Sequence, residues 1–222
     1  MTTSDSLPRA NRRLRLGIEF ALLYVGAPLA IALFLPPRQM FSALFLLTLA
    51  GLVLLHCTGG FDWRSLLRGW RQIPWREAAV LAAVTLVSGI VILWLSGRQD
   101  AIFNILRVQP EMLLMIWALY PLLSALPQEL IFRPLFYHRY GSLFASRKQA
   151  LMVNAAVFSF AHLMYWSAIV LLMTFVGGWI FGRAYLKHGF PAAWLLHAIA
   201  GNIIFAVGMG VYFWSGNVQR PF

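Results

Sequence analysis

Hydrophobic residues in this chain come in long unbroken runs, separated by short polar clusters, and not in the alternating or one-faced spacing of a soluble domain. Runs of about 20 apolar residues are long enough to cross the roughly 30 Å hydrocarbon core of a bilayer. The pattern predicts about seven spans: Leu16–Leu35, Phe41–His56, Ala78–Leu95, Met112–Tyr140, Gln149–Tyr165, Ser167–Leu186 and Pro191–Trp214. The expected fold is all-α, a polytopic transmembrane helical bundle. It reads as a single membrane domain over residues 1–222, with a basic tail at 1–15 and the main polar motifs within 112–213. The fourth run is too long to lie wholly in hydrocarbon, so its C-terminal part is expected to reach the interface. Trp63, Trp70 and Trp75 look like interfacial anchors, and short re-entrant pieces are possible in that stretch.

Composition agrees with that pattern. The chain is 60% hydrophobic and only 11% charged, against roughly 25% charged in ordinary soluble domains. A net charge of +11 would suit nucleic acid if it formed one patch, but the basic residues sit in clusters between apolar runs. A lipid bilayer is the expected partner, and nucleic acid is not. With the N-terminus cytoplasmic, fourteen of the 18 Lys and Arg fall on the inner side, so the positive-inside rule predicts N-in, C-out. Arg9, Arg12, Arg13 and Arg15 precede the first run as in a signal peptide. That run is long and lacks a small-x-small cleavage site, so it is read as a retained span. The expected location is an integral position in a bacterial cytoplasmic membrane. The single cysteine, Cys57, allows no intramolecular disulfide and no thiol metal motif.

Against this background Pro127-Gln128-Glu129-Leu130-Ile131-Phe132-Arg133 stands out. Ionisable residues in a membrane segment are costly and mark a functional site or a pair. Glu129 lies four residues before Arg133, the favourable helical order for a side-chain pair. Glu19 follows Arg15 by four and is expected to pair locally. His162, in Phe158-Ser159-Phe160-Ala161-His162, and His197, in the last span ahead of Asn202, are the other polar candidates. At about 1.5 Å per residue, Glu129 lies about 16 Å from Tyr140 and His162 about 20 Å from Gln149, whereas His197 lies only about 9 Å from Pro191. Glu129 and His162 are therefore expected at one depth. Gly178 and Gly182 form a small-xxx-small pair that lets a neighbouring helix approach.

A carboxylate, two imidazoles and an amide suit amide hydrolysis, which needs an activated water and donors for the developing oxyanion. Glu129 and His162 would activate water; His197, with Asn202, would stabilise the oxyanion. Two histidines and a carboxylate could instead hold zinc, but no HExxH spacing occurs, so that reading rests on composition alone and the expectation is no cofactor. A non-catalytic binding protein and a proton-coupled transporter remain the other classes. No paired broken spans suggest an inverted-repeat transporter.

The Glu129–Arg133 segment, Phe158-x-x-x-His162 and His197 with Asn202 resemble three motifs of the CAAX protease and bacteriocin-processing (Abi) family of intramembrane endopeptidases, similar to CAAX prenyl protease 2. The resemblance covers roughly Met112 to Phe213. It implies a water-filled cavity in a helical bundle, a membrane-associated peptide or protein as substrate, and a glutamate-type mechanism without catalytic metal. In that alignment Gln128, Arg133 and Phe158 are supporting positions. The chain departs from the family twice. Gln128 stands where the first glutamate of Glu-Glu-x-x-x-Arg is usual, which leaves either Glu129 as the base or a family member without peptidase activity, acting as a membrane binding or immunity-type protein. Asn202 follows His197 by five residues where four is usual, and a π-bulge near Gly201 would be needed to bring them together.

Overall fold

The computed structural model describes residues 9–218 and Pro221. The first eight residues of the basic tail and Arg220 lie outside the described residues. Every regular element described is helical. Six helices are long and apolar enough to cross a membrane: α1 (Asn11–Phe34), α2 (Pro37–Cys57), α3 (Trp75–Leu95), α4 (Pro110–Arg139), α6 (Ala168–His188) and α7 (Phe190–Val207). Between α4 and α6 lies α5 (Arg147–Phe160), only 14 residues long.

The chain thus has six candidate spans where about seven were expected. The expected fifth, Gln149–Tyr165, is the exception. At 1.5 Å per residue α5 measures about 21 Å, short of the bilayer core. It stops because the chain turns at His162, passes through a 3₁₀ turn at Leu163–Tyr165 and reaches Trp166 with φ +50°. Likewise only a short helix at Gly210–Phe213 precedes the expected end at Trp214, and the last spanning helix ends at Val207. There Gly208 adopts φ +104°, and a Cβ at that glycine would lie 1.9 Å from the Ala101 carbonyl oxygen.

The outer surface is apolar: Leu46, Leu49, Val80, Val84 and Leu172 are all more than half exposed. A soluble fold could not sustain such a surface, whereas lipid accepts it. More than half of the apolar window of α7 is buried (56%), against 17–33% for the other five spans. Helix α7 is therefore the central post of the bundle.

Loops gather at two ends. At one, Arg13 donates to the Leu143 carbonyl (3.1 Å), His138 Nε2 meets the Gly59 carbonyl (3.0 Å) and Lys187 pairs with Glu77 (3.3 Å). At the other, the Phe103 amide donates to the Val207 carbonyl (3.0 Å). The Gly59–Trp75 stretch belongs to the first end and contains two short 3₁₀ turns.

Helix α4 is not regular. Pro121, Pro127 and Pro134 lie along it, and two segments, Pro121–Ala125 and Ile131–Arg139, wind as π-helix. Proline has no N–H to give and crowds the preceding turn, and the widened helix also presents carbonyls to donors on its neighbours. The Tyr24 hydroxyl donates to the Ile131 carbonyl (2.7 Å), the Asn154 amide to Phe132 (2.6 Å), and the Trp194 indole to Pro121 (2.7 Å). These bonds lock α4 to α1, α5 and α7. Helices α5 and α6 meet at the two glycines picked out by spacing: a Cβ at Gly178 would lie 2.9 Å from the Phe158 ring, and one at Gly182 3.0 Å from Asn154 Oδ1.

Candidate active site

Glu129 and Arg133 are both fully buried on α4. Arg133 Nε donates to Glu129 Oε2 (2.8 Å) and Nη2 to Oε1 (3.2 Å), a bidentate pair within one helix. Arg133 also donates to the Asn154 side-chain oxygen on α5, and its guanidinium carbon sits 5.2 Å from the Phe158 ring centroid. From α7, His197 Nδ1 lies 3.0 Å from Glu129 Oε1. An ionised carboxylate only accepts, so Nδ1 carries the hydrogen, and in the neutral imidazole Nε2 keeps its lone pair. The Tyr120 hydroxyl, 3.1 Å from that Nε2, is then the donor.

Tyr120 and Glu129 thus grip the two nitrogens of one imidazole. Nine residues apart on a regular helix, they would point in nearly opposite directions, about 180° apart. The π-wound turn Pro121–Ala125 lies between them and turns both toward α7. The imidazole is further packed by Phe181, stacked at 4.8 Å, and by the edge of Phe158 at 5.6 Å.

His162 does not join this cluster. Its Nδ1 lies 2.8 Å from the Phe158 carbonyl, which can only accept, so Nδ1 is the protonated nitrogen. The Phe158 ring contacts both imidazoles, His162 at 4.9 Å and His197 at 5.6 Å. Both histidines line a cavity of about 450 Å³, together with Tyr120, Ser124, Gln128 and Tyr165. Glu129 and Arg133 do not line it. Among the sequence candidates on α4 it is Gln128, with its amide donating to Ser124 Oγ (3.0 Å), that faces the cavity. Elsewhere the wall is mostly apolar. Phe41, Val84, Leu172 and Val176 belong both to it and to the exposed outer surface, so the cavity communicates with the lipid-facing side.

Asn202 points elsewhere. Helix α7 is regular through Gly201, with no π-bulge, which leaves Asn202 about 140° round the axis from His197. Its side-chain amide donates to the Trp117 backbone carbonyl (3.3 Å) and its backbone carbonyl accepts from the Trp117 indole (3.0 Å). Glu19 also departs from the sequence reading. Its carboxylate pairs with Arg139 and accepts from the Tyr140 hydroxyl (2.6 Å), not from Arg15, because the wide-wound end of α4 brings a guanidinium against α1. Among the described residues, no three His, Cys, Asp or Glu side chains converge as a metal-binding set.

The order of these elements matches a known pattern: residues 110–213 match the family described as type II CAAX prenyl endopeptidase, Rce1-like. The matched segment runs from the start of α4 past the end of α7 and contains every cavity-facing polar residue named above. The chain therefore carries a CAAX protease family domain at residues 110–213. It is an integral membrane protein of the CAAX-type intramembrane protease kind. No curated protein and no solved structure gives a significant match.

Two residues of this CAAX-family site escape a reading of the sequence. Asn154 is fully buried and bridges Arg133 to the Phe132 carbonyl. Its signal is spacing: Asn154 and Phe158 lie four apart on one face of α5, in register with His162 just past the helix end. Tyr120 carries no such signal, because its direction depends on the π-wound turn that follows it.

Proposed function

We propose that the protein is an intramembrane endopeptidase that hydrolyses a peptide bond in a membrane-associated peptide or protein, with His162 as the base that activates water. The observation that carries this reading is the anchoring of His162 Nδ1–H on the Phe158 carbonyl, which leaves the Nε2 lone pair for chemistry in a residue that lines the cavity. Gln128, on the same cavity, orients the water through its carboxamide, a role a neutral side chain can fill. The proton passes from water to Nε2 as the oxygen attacks the carbonyl carbon. When the C–N bond breaks, the same proton passes to the departing nitrogen. Glu129 acts at one remove: buried off the cavity, it sets the tautomer of His197 and neutralises Arg133. The cavity's apolar, laterally communicating wall suits a substrate anchored in the bilayer. We place the end carrying Arg13, Arg147 and Lys187 on the cytoplasmic side, by the same excess of basic residues that the positive-inside rule reads.

A second reading follows from Gln128. With a carboxamide facing the cavity at the position of the family's first glutamate, the protein would bind membrane peptides without cutting them. Cleavage of a prenylated CAAX peptide by purified protein in liposomes separates the two. Wild-type turnover that falls by about 10²–10⁴-fold in His162→Ala supports hydrolysis. Turnover indifferent to His162→Ala sinks it. A silent wild type that gains cleavage on Gln128→Glu supports the binding reading.

A further inference from the structure

We infer that Tyr120 is the hydroxyl donor to the oxygen of the scissile carbonyl as that oxygen becomes an anion. This rests on the hydrolytic reading and names the group that reading otherwise lacks. His197 and Asn202, the sequence candidates for the role, are both committed elsewhere: His197 donates to Glu129 through Nδ1 and offers only a lone pair at Nε2, and Asn202 is engaged with Trp117.

Three observations point to Tyr120. It lines the cavity that His162 and Gln128 also line. Its hydroxyl belongs to a hydrogen-bonded series running from Glu129 through His197, which fixes where the oxygen sits and accepts its hydrogen at rest. Finally, its place is reserved by the opposing helix. Gly201 lies one turn after His197 and about 40° round from it, on the same face of α7. A Cβ at Gly201 would lie 2.0 Å from Tyr120 Cε1 and 2.4 Å from the hydroxyl oxygen. Any side chain at 201 would occupy the volume in which the phenol lies. The ring is also held at its edge by Phe205, 5.7 Å between centroids.

The step balances without a further reactant. As the carbonyl π electrons move onto oxygen, the Tyr120 O–H turns about its C–O bond from His197 Nε2 to the new anion. The phenol stays protonated throughout. On collapse the electron pair re-forms the carbonyl, the C–N bond breaks, and the hydroxyl hydrogen returns to Nε2. A preorganised donor aimed at developing charge in a dry site is worth far more than the same contact in water.

The test is Tyr120→Phe, which keeps the ring against Gly201 and removes only the hydroxyl. Two readouts are taken on the full chain in liposomes: steady-state cleavage of a prenylated CAAX peptide, and binding of two uncleavable analogues of that peptide. One analogue carries a trifluoromethyl ketone hydrate at the scissile position and the other a reduced amide. Expected are a kcat lower by about 10²–10³-fold with little change in KM, and a loss of affinity confined to the ketone hydrate. Unchanged kcat, or equal affinity of wild type and variant for the hydrate, overturns the assignment. Should the wild type fail to cleave yet bind the hydrate tightly only with Tyr120 intact, the hydroxyl site stands and the hydrolytic reading falls. If the wild type neither cleaves nor prefers the hydrate, both fall.

Discussion

Two carboxylate–guanidinium pairs hang on the same π-wound segment of α4, six residues apart, and they serve different ends. Arg133 and Glu129 are both 0% exposed, joined within one helix, and share their polar partners with His197 and Asn154. Arg139 and Glu19 are 9% and 23% exposed and join helices 120 residues apart. Arg139 also reaches Thr58 Oγ1 (2.7 Å) on the final turn after α2, while the Tyr140 hydroxyl covers Glu19. The outer pair is a clamp between α1, α2 and α4 whose partners are all structural. The inner pair has an imidazole on its far side, and that imidazole reaches a cavity. Charge alone does not distinguish the two. What distinguishes them is whether the chain of partners ends in packing or at an accessible surface.

The largest effect should come from breaking the inner pair. Arg133→Leu leaves a carboxylate at zero exposure with one imidazole for company, which costs about 3–5 kcal/mol. Thermal unfolding in detergent would register it as a large loss, with cleavage abolished. Replacing both partners by leucine sharpens the point. A buried pair exchanged for apolar side chains is often neutral for stability, so the double variant should regain much of its melting temperature. It should not regain cleavage, because His197 would no longer be held. Recovery of both would reduce the inner pair to a clamp like the outer one.

Breaking the outer pair should matter less. Arg139→Leu leaves Glu19 partly exposed and still bonded to the Tyr140 hydroxyl, at a cost of about 1–3 kcal/mol. Unfolding in detergent should move down accordingly while kcat on a prenylated peptide stays at the wild-type value. A collapse of kcat without a matching loss of stability would mean that the two pairs are coupled along α4, and the contrast between them would fail.

The sequence made some of this legible and hid the rest for definable reasons. Runs of apolar residues located six spanning helices because length and hydropathy are local properties. The Glu129–Arg133 contact was legible too, being an i, i+4 pair within one helix. The approach of α5 to α6 at Gly178 and Gly182 followed from small residues spaced by one turn. Partnerships across helices were less accessible. Glu19 was assigned to Arg15 by proximity in sequence, but Arg139 comes from 120 residues away. Depth counting paired Glu129 with His162, whereas the rotation of the helices gives Glu129 to His197 and sets the Phe158 ring against both imidazoles. The three interior prolines of α4 are visible in the sequence, yet their consequence is not. A π-wound turn shifts the phase of everything after it, and that shift alone brings Tyr120 and Glu129 to the same ring.

The smallest predicted effect bears on the same lesson. Asn202 carries the residue type that an oxyanion site uses, and it lies five residues after His197, but α7 stays regular and turns it to Trp117. The contact is reciprocal, side chain to backbone in each direction, which marks it as a latch between α4 and α7. Asn202→Ala removes one bond of 3.3 Å at a partly exposed position, so the stability loss should be about 1 kcal/mol or less. The turnover of a prenylated peptide should be unchanged. Tyr120→Phe, by contrast, should lower turnover with little loss of stability. Were the two results exchanged, the donor would be the asparagine, α7 would have to widen into a π-turn at Gly201 when substrate binds, and the phenol would be the latch.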